Sequence, residues 1–407
     1  MPIGKPSVAA VARRYKHAAG KSSTYAPEVV DMIYRMSREG DLGDQDVCEF
    51  VGAKLAAERE SPDPQPPVTW DQLVFLSANL TRLVIDPYRE KCNSQVTIGT
   101  ERARPLPLEW PVIFGGIDFA RIPEALLSYT LAASAAANLS VLVRPEWPLD
   151  NAAESRPIFC VDITQPQTEL LNAAAVILTA PSAGQLDRQS VAPAIERIRQ
   201  QTEAKIPVGV IAPAVNSGWV VDQTIQLDVD FYLADAQWTD QQAPGEVLPE
   251  LAAAPTICVL ADVVDRLRHH HKEELVQVIY HGGIRGGADA GKALCLGANA
   301  VMVGLATVLG MGFRISKVSD EASLLKELAH PLERDDAIRR IINVAKSINT
   351  EVTMLARASG KSSVKNMEPE DLRALTIGTS AATGIPVAGK DFNFRQGGIA
   401  ADERRYS

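Results

Sequence analysis

From residue 111 to residue 304 the chain alternates short, almost wholly apolar runs with longer stretches of helical spacing. The apolar runs are PVIFGG (111–116), LSVLV (139–143), RPIFCVDI (156–163), AAAVILTAP (173–181), IPVGVIAP (206–213), VDFYLADA (229–236), PTICVLA (255–261), LVQVIYHGG (275–283) and AVMVG (300–304). Helical patterns lie between most of them, among them 123–138, which starts at a proline, and 191–203. Strands apolar on both faces and separated by helices predict a parallel sheet covered by helices. About eight such strands fit a closed (β/α)8 TIM barrel; an open doubly wound sheet has the same periodicity.

The flanks read differently. Residues 27–39 and 46–58 have helical spacing, 60–70 (ESPDPQPPVTW) is a proline-rich linker, and a short helix is predicted over 70–76. After Gly312 the strand pattern stops. Residues 335–359 form one long amphipathic helix with Ile338, Ile341, Ile342, Ala345, Ile348, Val352 and Leu355 on its stripe and Gly360 at its end. PEDLRALT predicts a second helix from Pro369, and a polar tail begins near Gly389. The division that follows is an N-terminal helical extension and linker (1–105), a barrel (106–320), and C-terminal helices with a tail (321–407).

Composition narrows the classes. Of 407 residues 46% are hydrophobic, enough for a large core, and the net charge is −9 with no long basic run, which argues against nucleic-acid binding. The five cysteines (Cys48, Cys92, Cys160, Cys258, Cys295) form no CxxC pair or cluster, so neither zinc nor an iron–sulfur centre is expected. No signal peptide or membrane-length apolar stretch is read, and a cytoplasmic location is expected. His269-His270-His271 follows a helical run, and three consecutive imidazoles cannot converge on one ion; a solvated helix end is expected and no metal site.

The chemistry concentrates in HGGIRGGADAGKALCLGANAVMVG (281–304). A strand leads into Gly282-Gly283-Ile284-Arg285-Gly286-Gly287, then Asp289 as an expected N-cap, then a helix. A second turn, Gly304-Leu305, ends the next strand. Glycine turns at strand ends expose backbone N–H groups in one concavity that suits a phosphate, and barrels often place such a site after strands 7 and 8. Glycines needed only for tight turns are the alternative. Arg285 is the cation best placed for the phosphate, with a structural ion pair as its alternative. His281 could touch a ligand or be satisfied locally.

These motifs resemble the FMN phosphate loop of the glutamate synthase family, and the resemblance runs in order from about Thr69 to Gly389. PVIFGGIDFARIPEA (111–125) is similar to that family's first strand and flavin loop, and residues 341–376 and 380–389 are similar to its C-terminal segments. The resemblance implies an FMN-binding barrel. Gly115, Gly116 and Ile117 would lie against the flavin, and Gly282, Gly283, Arg285, Gly286, Gly287, Gly304 and Leu305 would lie around its phosphate. The family adds ammonia or an amine to a 2-oxo acid and reduces the imine. An amino- or oxo-acid substrate, with a glutaminase-like or electron-donor partner subunit, is therefore implied; a homo-oligomer stays open.

The departures fall on the redox face. Ile117-Asp118 replaces Met-Ser, Pro145-Glu146-Trp147-Pro148 replaces a glycine-rich loop, Thr179 and Ile211 replace lysines, and 237–242 (QWTDQQ) replaces another glycine-rich loop. Phe313 stands where the first cluster cysteine is expected, and no cysteine follows to residue 333, so no iron–sulfur cluster is expected in this chain. Asp118 and Glu146 are the candidate catalytic acids. Trp147 and Trp238 either fill a vacated pocket or stack on a ligand. Two functions follow: an FMN-dependent oxidoreductase acting on an amino or imino acid, or a catalytically lapsed barrel serving as scaffold or regulatory subunit.

Overall fold

The computed structural model describes residues 25, 27–40, 68–78, 85, 90–147, 155–164, 170, 172–237, 250, 256–314 and 321–389. The expected helix at 46–58, the proline-rich 60–67, Pro148, residues 238–242 and the tail beyond 389 lie outside them. Three short strands precede the barrel: β1 (Leu73–Phe75), β2 (Val96–Ile98) and β3 (Leu106–Leu108). The barrel strands are β4 (Val112–Phe114), β5 (Ser140–Val143), β6 (Ile158–Asp162), β7 (Ala175–Thr179), β8 (Val208–Pro213), β9 (Phe231–Asp235), β10 (Gln277–His281) and β11 (Ala300–Val303), with β12 (Leu372–Ala374) near the end. β4 to β11 pair in parallel, each with the next, and β11 returns to β4, closing the barrel. The (β/α)8 fold expected from the alternation is present, and the open sheet is excluded.

Strands β4, β8, β9, β10 and β11 are buried at every position, because helices cover the outside and side chains fill the inside. Gly209 on β8 makes room within that packing. A Cβ there would lie 2.5 Å from the Phe231 ring of the adjoining strand.

One apolar run is not a strand. Residues 258–261 open the helix Cys258–His269. Its buried face, Val259, Leu260, Val263, Val264 and Leu267, has helical spacing that the seven-residue run is too short to reveal. Two predicted helices are also corrected. Residues 70–76 form a single 3-10 turn, Trp70–Gln72, followed by β1, and Pro369–Asp371 is another such turn followed by β12. β1 and β12 pair antiparallel, Leu73 opposite Ala374. Three-residue strands carry no readable period, and their partners lie some 300 residues apart in sequence.

The β2–β3 hairpin lies under the N-terminal ends of the barrel strands. Gly99 at its turn has φ +68°, touches Pro207 before β8, and donates its N–H to Gln277 Oε1 of β10 at 2.7 Å. On the other side the long helix Arg334–Ala358 spans the expected stretch. It buries Ile341, Ala345, Ile348 and Val352 and binds the helix Pro27–Glu39 through Asn343 Nδ2 to Ser37 O at 3.0 Å. Among the described residues no helix is long and apolar enough to cross a membrane.

Candidate functional site

The loops at the C-terminal ends of β4, β10 and β11 meet. Gly115 N–H donates to Val303 O at 3.1 Å, joining the end of β4 to the end of β11. Gly304 lies so close to this junction that a Cβ on it would sit 2.7 Å from Gly115 O. The two glycine turns of the 281–304 run therefore form one cradle beside Gly115 and Gly116.

The cradle holds an anion supplied by the chain itself. Glu250, almost wholly buried, accepts from Gly283 N–H at 2.9 Å on Oε1 and from Leu305 N–H at 2.5 Å on Oε2. The Tyr25 hydroxyl also donates to Oε1 at 3.0 Å. A carboxylate here is a stand-in for phosphate oxygens: both are anionic acceptors that satisfy converging backbone donors. The donor set thus fits a phosphate, provided Glu250 is elsewhere.

Arg285 is held in ion pairs within the chain. Its guanidinium forks onto Asp71 (Nη1 to Oδ2 2.9 Å, Nη2 to Oδ1 2.6 Å) and onto Asp289 (Nε to Oδ2 2.7 Å, Nη2 to Oδ1 2.8 Å), so the ion-pair reading holds. Asp289 is correspondingly not an N-cap. Gly286 precedes the helix Gly287–Cys295, and Asp289 lies buried in its first turn under Arg285. The segment before β1 straps this loop down: Trp70 Nε1 donates to Gly282 O at 3.4 Å and Lys292 Nζ to Trp70 O at 2.7 Å.

A second acid serves the same loop. Glu351, on the long C-terminal helix, accepts from Gly287 N–H at 2.6 Å, and burial pushes its carboxyl up to about 7. The approach is close; a Cβ on Gly287 would lie 2.6 Å from Ile348 O. A raised folded-state pKa stabilises the fold fully below the unfolded value of 4.5. That stability is lost as pH rises toward 7. The Glu351→Gln variant keeps an acceptor without the titration. Wild type should therefore lose roughly 3 kcal/mol relative to it across that window, measured by urea unfolding at several pH values. A constant difference would remove the assignment.

The side chain that most resembles a catalytic group is His281. Parallel register sets it beside Asp235, and its Nδ1 lies 2.9 Å from Asp235 Oδ1. Nε2 is buried with no hydrogen-bond partner among the described residues and faces Gly116, whose φ is +71°. A Cβ at Gly116 would overlap Nε2, so only glycine admits the imidazole there. Burial pulls the imidazole pKa down. The Asp235 carboxylate, by charge and hydrogen bond, and the Glu250 charge outweigh it and hold the value above that of an ordinary histidine.

The two candidate acids are placed less centrally. Asp118 is partly exposed, and its Oδ1 accepts from Ala120 N–H at 3.2 Å, capping the turn Phe119–Arg121. Glu146 is exposed, 3.9 Å from the exposed Arg144. Ile117 is buried, and Trp147 packs edge-on against Phe119 with ring centres 5.5 Å apart. Ile211 is buried within β8, and Phe313 is fully buried with its carbonyl accepting from the Tyr34 hydroxyl. His270 Nε2 lies 2.8 Å from Asp222 at the helix end, and no metal-holding group of His, Cys, Asp or Glu occurs among the described residues.

Sequence reasoning missed Glu250, Tyr25, Asp71, Asp235 and Glu351. Only Glu250 carried a hint, a single acid between apolar neighbours in VLPELAAAP (247–255). The others reach the site from distant segments and belong to no local motif.

Known proteins resemble this chain in sequence and in fold. The family model of FMN-dependent dehydrogenases matches residues 251–326, which include the β10 loop and β11. A glutamate synthase large subunit-like protein of Rhizobium meliloti is 25% identical over 386 residues, covering 79% of this chain and 87% of that protein. An archaeal-type glutamate synthase [NADPH] of Dehalococcoides mccartyi is 20% identical, covering 95% and 88%. Among solved structures, a mandelate oxidase variant superposes with a TM-score of 0.52 at 15% identity, covering 91% of this chain and 99% of that one; it speaks for the fold alone. With a closed barrel and paired glycine turns at its strand ends, the chain is similar to glutamate synthase-like proteins and to FMN-dependent oxidoreductase barrels.

Proposed function

We propose that the chain binds FMN at the C-terminal mouth of its barrel and oxidises or reduces an amino or imino acid there. The observation that carries this reading is the His281–Asp235 pair, a buried imidazole whose outer nitrogen is aimed at the flavin loop. The flavin, when bound, supplies the hydride chemistry. Asp235 fixes the Nδ1–H tautomer, so Nε2 is the atom that takes or gives a proton at the substrate. Gly115, Gly116 and Ile117 line the flavin side, and the Gly283 and Leu305 N–H groups would hold the phosphate. Asp118 and Glu146 stay at the rim as secondary acids. With isoleucine at 211, no lysine stands there to hold a substrate carboxylate. Electrons would come from a partner subunit or a reduced pyridine nucleotide.

A second reading, a lapsed barrel acting as scaffold or regulatory subunit, is favoured by one observation: Glu250 occupies the donors a phosphate needs. Absorbance separates the two. Protein purified or incubated with FMN should show a visible flavin band, and an amino-acid substrate should bleach it without oxygen. The His281→Asn variant should keep the band and bleach about 10²–10⁴ times more slowly. Protein that takes up no FMN would leave the scaffold reading, and unchanged bleaching in the variant would remove His281 from the chemistry.

A further inference from the structure

We propose that Glu250 is a built-in competitor for the cofactor's phosphate, so that FMN binds only when this carboxylate leaves the cradle. The inference rests on the reading that the cradle is the phosphate site, and it adds that this site is self-occluded. Three observations carry it. Both carboxylate oxygens are used, one on each glycine turn, so the side chain spans the two donors instead of capping one. The Tyr25 hydroxyl, from a segment far away in sequence, supports the carboxylate from behind. The space is closed, since a Cβ on Gly304 would lie 3.0 Å from Glu250 Oε2.

Two anions cannot share those donors. A phosphate placed on Gly283 and Leu305 would overlap the Glu250 oxygens, and at any contact distance the like charges repel. The occupied form is also self-consistent: Gly283 and Leu305 N–H stay bonded without a ligand, so the turns keep an anion-ready shape. Buried donors left unpaired would otherwise be costly. Apparent FMN affinity is then the intrinsic affinity scaled by the fraction of molecules in which Glu250 is withdrawn.

Removing the carboxylate should strengthen binding of phosphate-bearing ligands selectively. For Glu250→Ala, the FMN dissociation constant measured by flavin fluorescence should fall at least about tenfold. That for riboflavin, which has no phosphate, should stay within about twofold. Tyr25→Phe, which leaves the carboxylate but removes its support, should shift FMN affinity in the same direction by a smaller factor. It keeps the test available should the alanine variant fold poorly. Thermal unfolding with inorganic phosphate gives a flavin-free readout: Glu250→Ala should gain melting temperature with phosphate, and wild type should not. Equal FMN affinity in wild type and both variants would overturn the competitor role while leaving the oxidoreductase reading standing. A phosphate response in Glu250→Ala without FMN binding in any form would support the competitor and remove the flavin reading. Neither FMN nor phosphate binding in Glu250→Ala would overturn the competitor too.

Discussion

Replacing Arg285 by alanine should lower the unfolding free energy by about 3–5 kcal/mol, the cost of removing one partner from a buried ion pair. The guanidinium is 5% exposed and bonds two carboxylates, of which Asp289 is as deeply buried. Taking it away leaves the Asp289 charge in low dielectric with its main counter-ion gone, and it unties Asp71, which anchors the segment before β1 to the β10 loop. Coulomb attraction at contact is worth about 4 kcal/mol even at an effective dielectric of 20, so the loss is not absorbed by relaxation alone. Removing Asp289 as well should recover part of the loss, since the second change takes away the uncompensated charge. Urea unfolding measures both. FMN affinity measured alongside should change little, because the anion's donors are the backbone N–H groups of Gly283 and Leu305. A variant as stable as wild type that binds FMN poorly would instead make Arg285 a phosphate ligand.

The sequence alone offers Arg285 as a phosphate ligand or as a structural ion-pair partner, and it does not show the carboxylates that the side chain bonds, for a physical reason. Glycines and strand ends are local: the run from Gln277 to Gly304 fixes a strand, a turn, a helix and a second strand within 28 consecutive residues, so both glycine turns are legible in the primary sequence. What a side chain bonds to is not local. Asp71 is 214 residues from Arg285, and Glu250 is 55 residues from Leu305. No periodicity or motif joins such pairs; only the closed barrel does. The barrel itself was legible because fully apolar strands must be buried on both faces, whereas β1 and β12, three residues each, were not. His281 shows the intermediate case. Its strand was evident, but its pairing with Asp235 depends on the register of two parallel strands, and that register is set by packing across the whole sheet.

The opposite end of the barrel supplies a control in which stability and ligand binding should separate. Asp230, just before β9, is buried and accepts from Arg102 Nε at 2.6 Å, Arg199 Nη2 at 2.6 Å and Val208 N–H at 2.7 Å. It thereby ties the β2–β3 hairpin, the helix Arg188–Gln201 and the start of β8 to the start of β9. Asp230→Ala takes the buried carboxylate from two arginines and the acceptor from the Val208 N–H at once. The exposed Asp228, bonded to Arg102 at 2.6 Å, still screens part of that charge. The expected loss is about 3–5 kcal/mol, at the lower end for that reason. The N-terminal face of such a barrel supports the fold and its C-terminal face the chemistry. FMN affinity and His281-dependent bleaching of the folded fraction should therefore match wild type. If Asp230→Ala altered flavin binding at temperatures where it is fully folded, the two ends of the barrel would have to be coupled through the β8 and β9 strands. The self-occlusion by Glu250, placed between β9 and β10 in sequence, would then answer to the barrel's base as well as to its mouth.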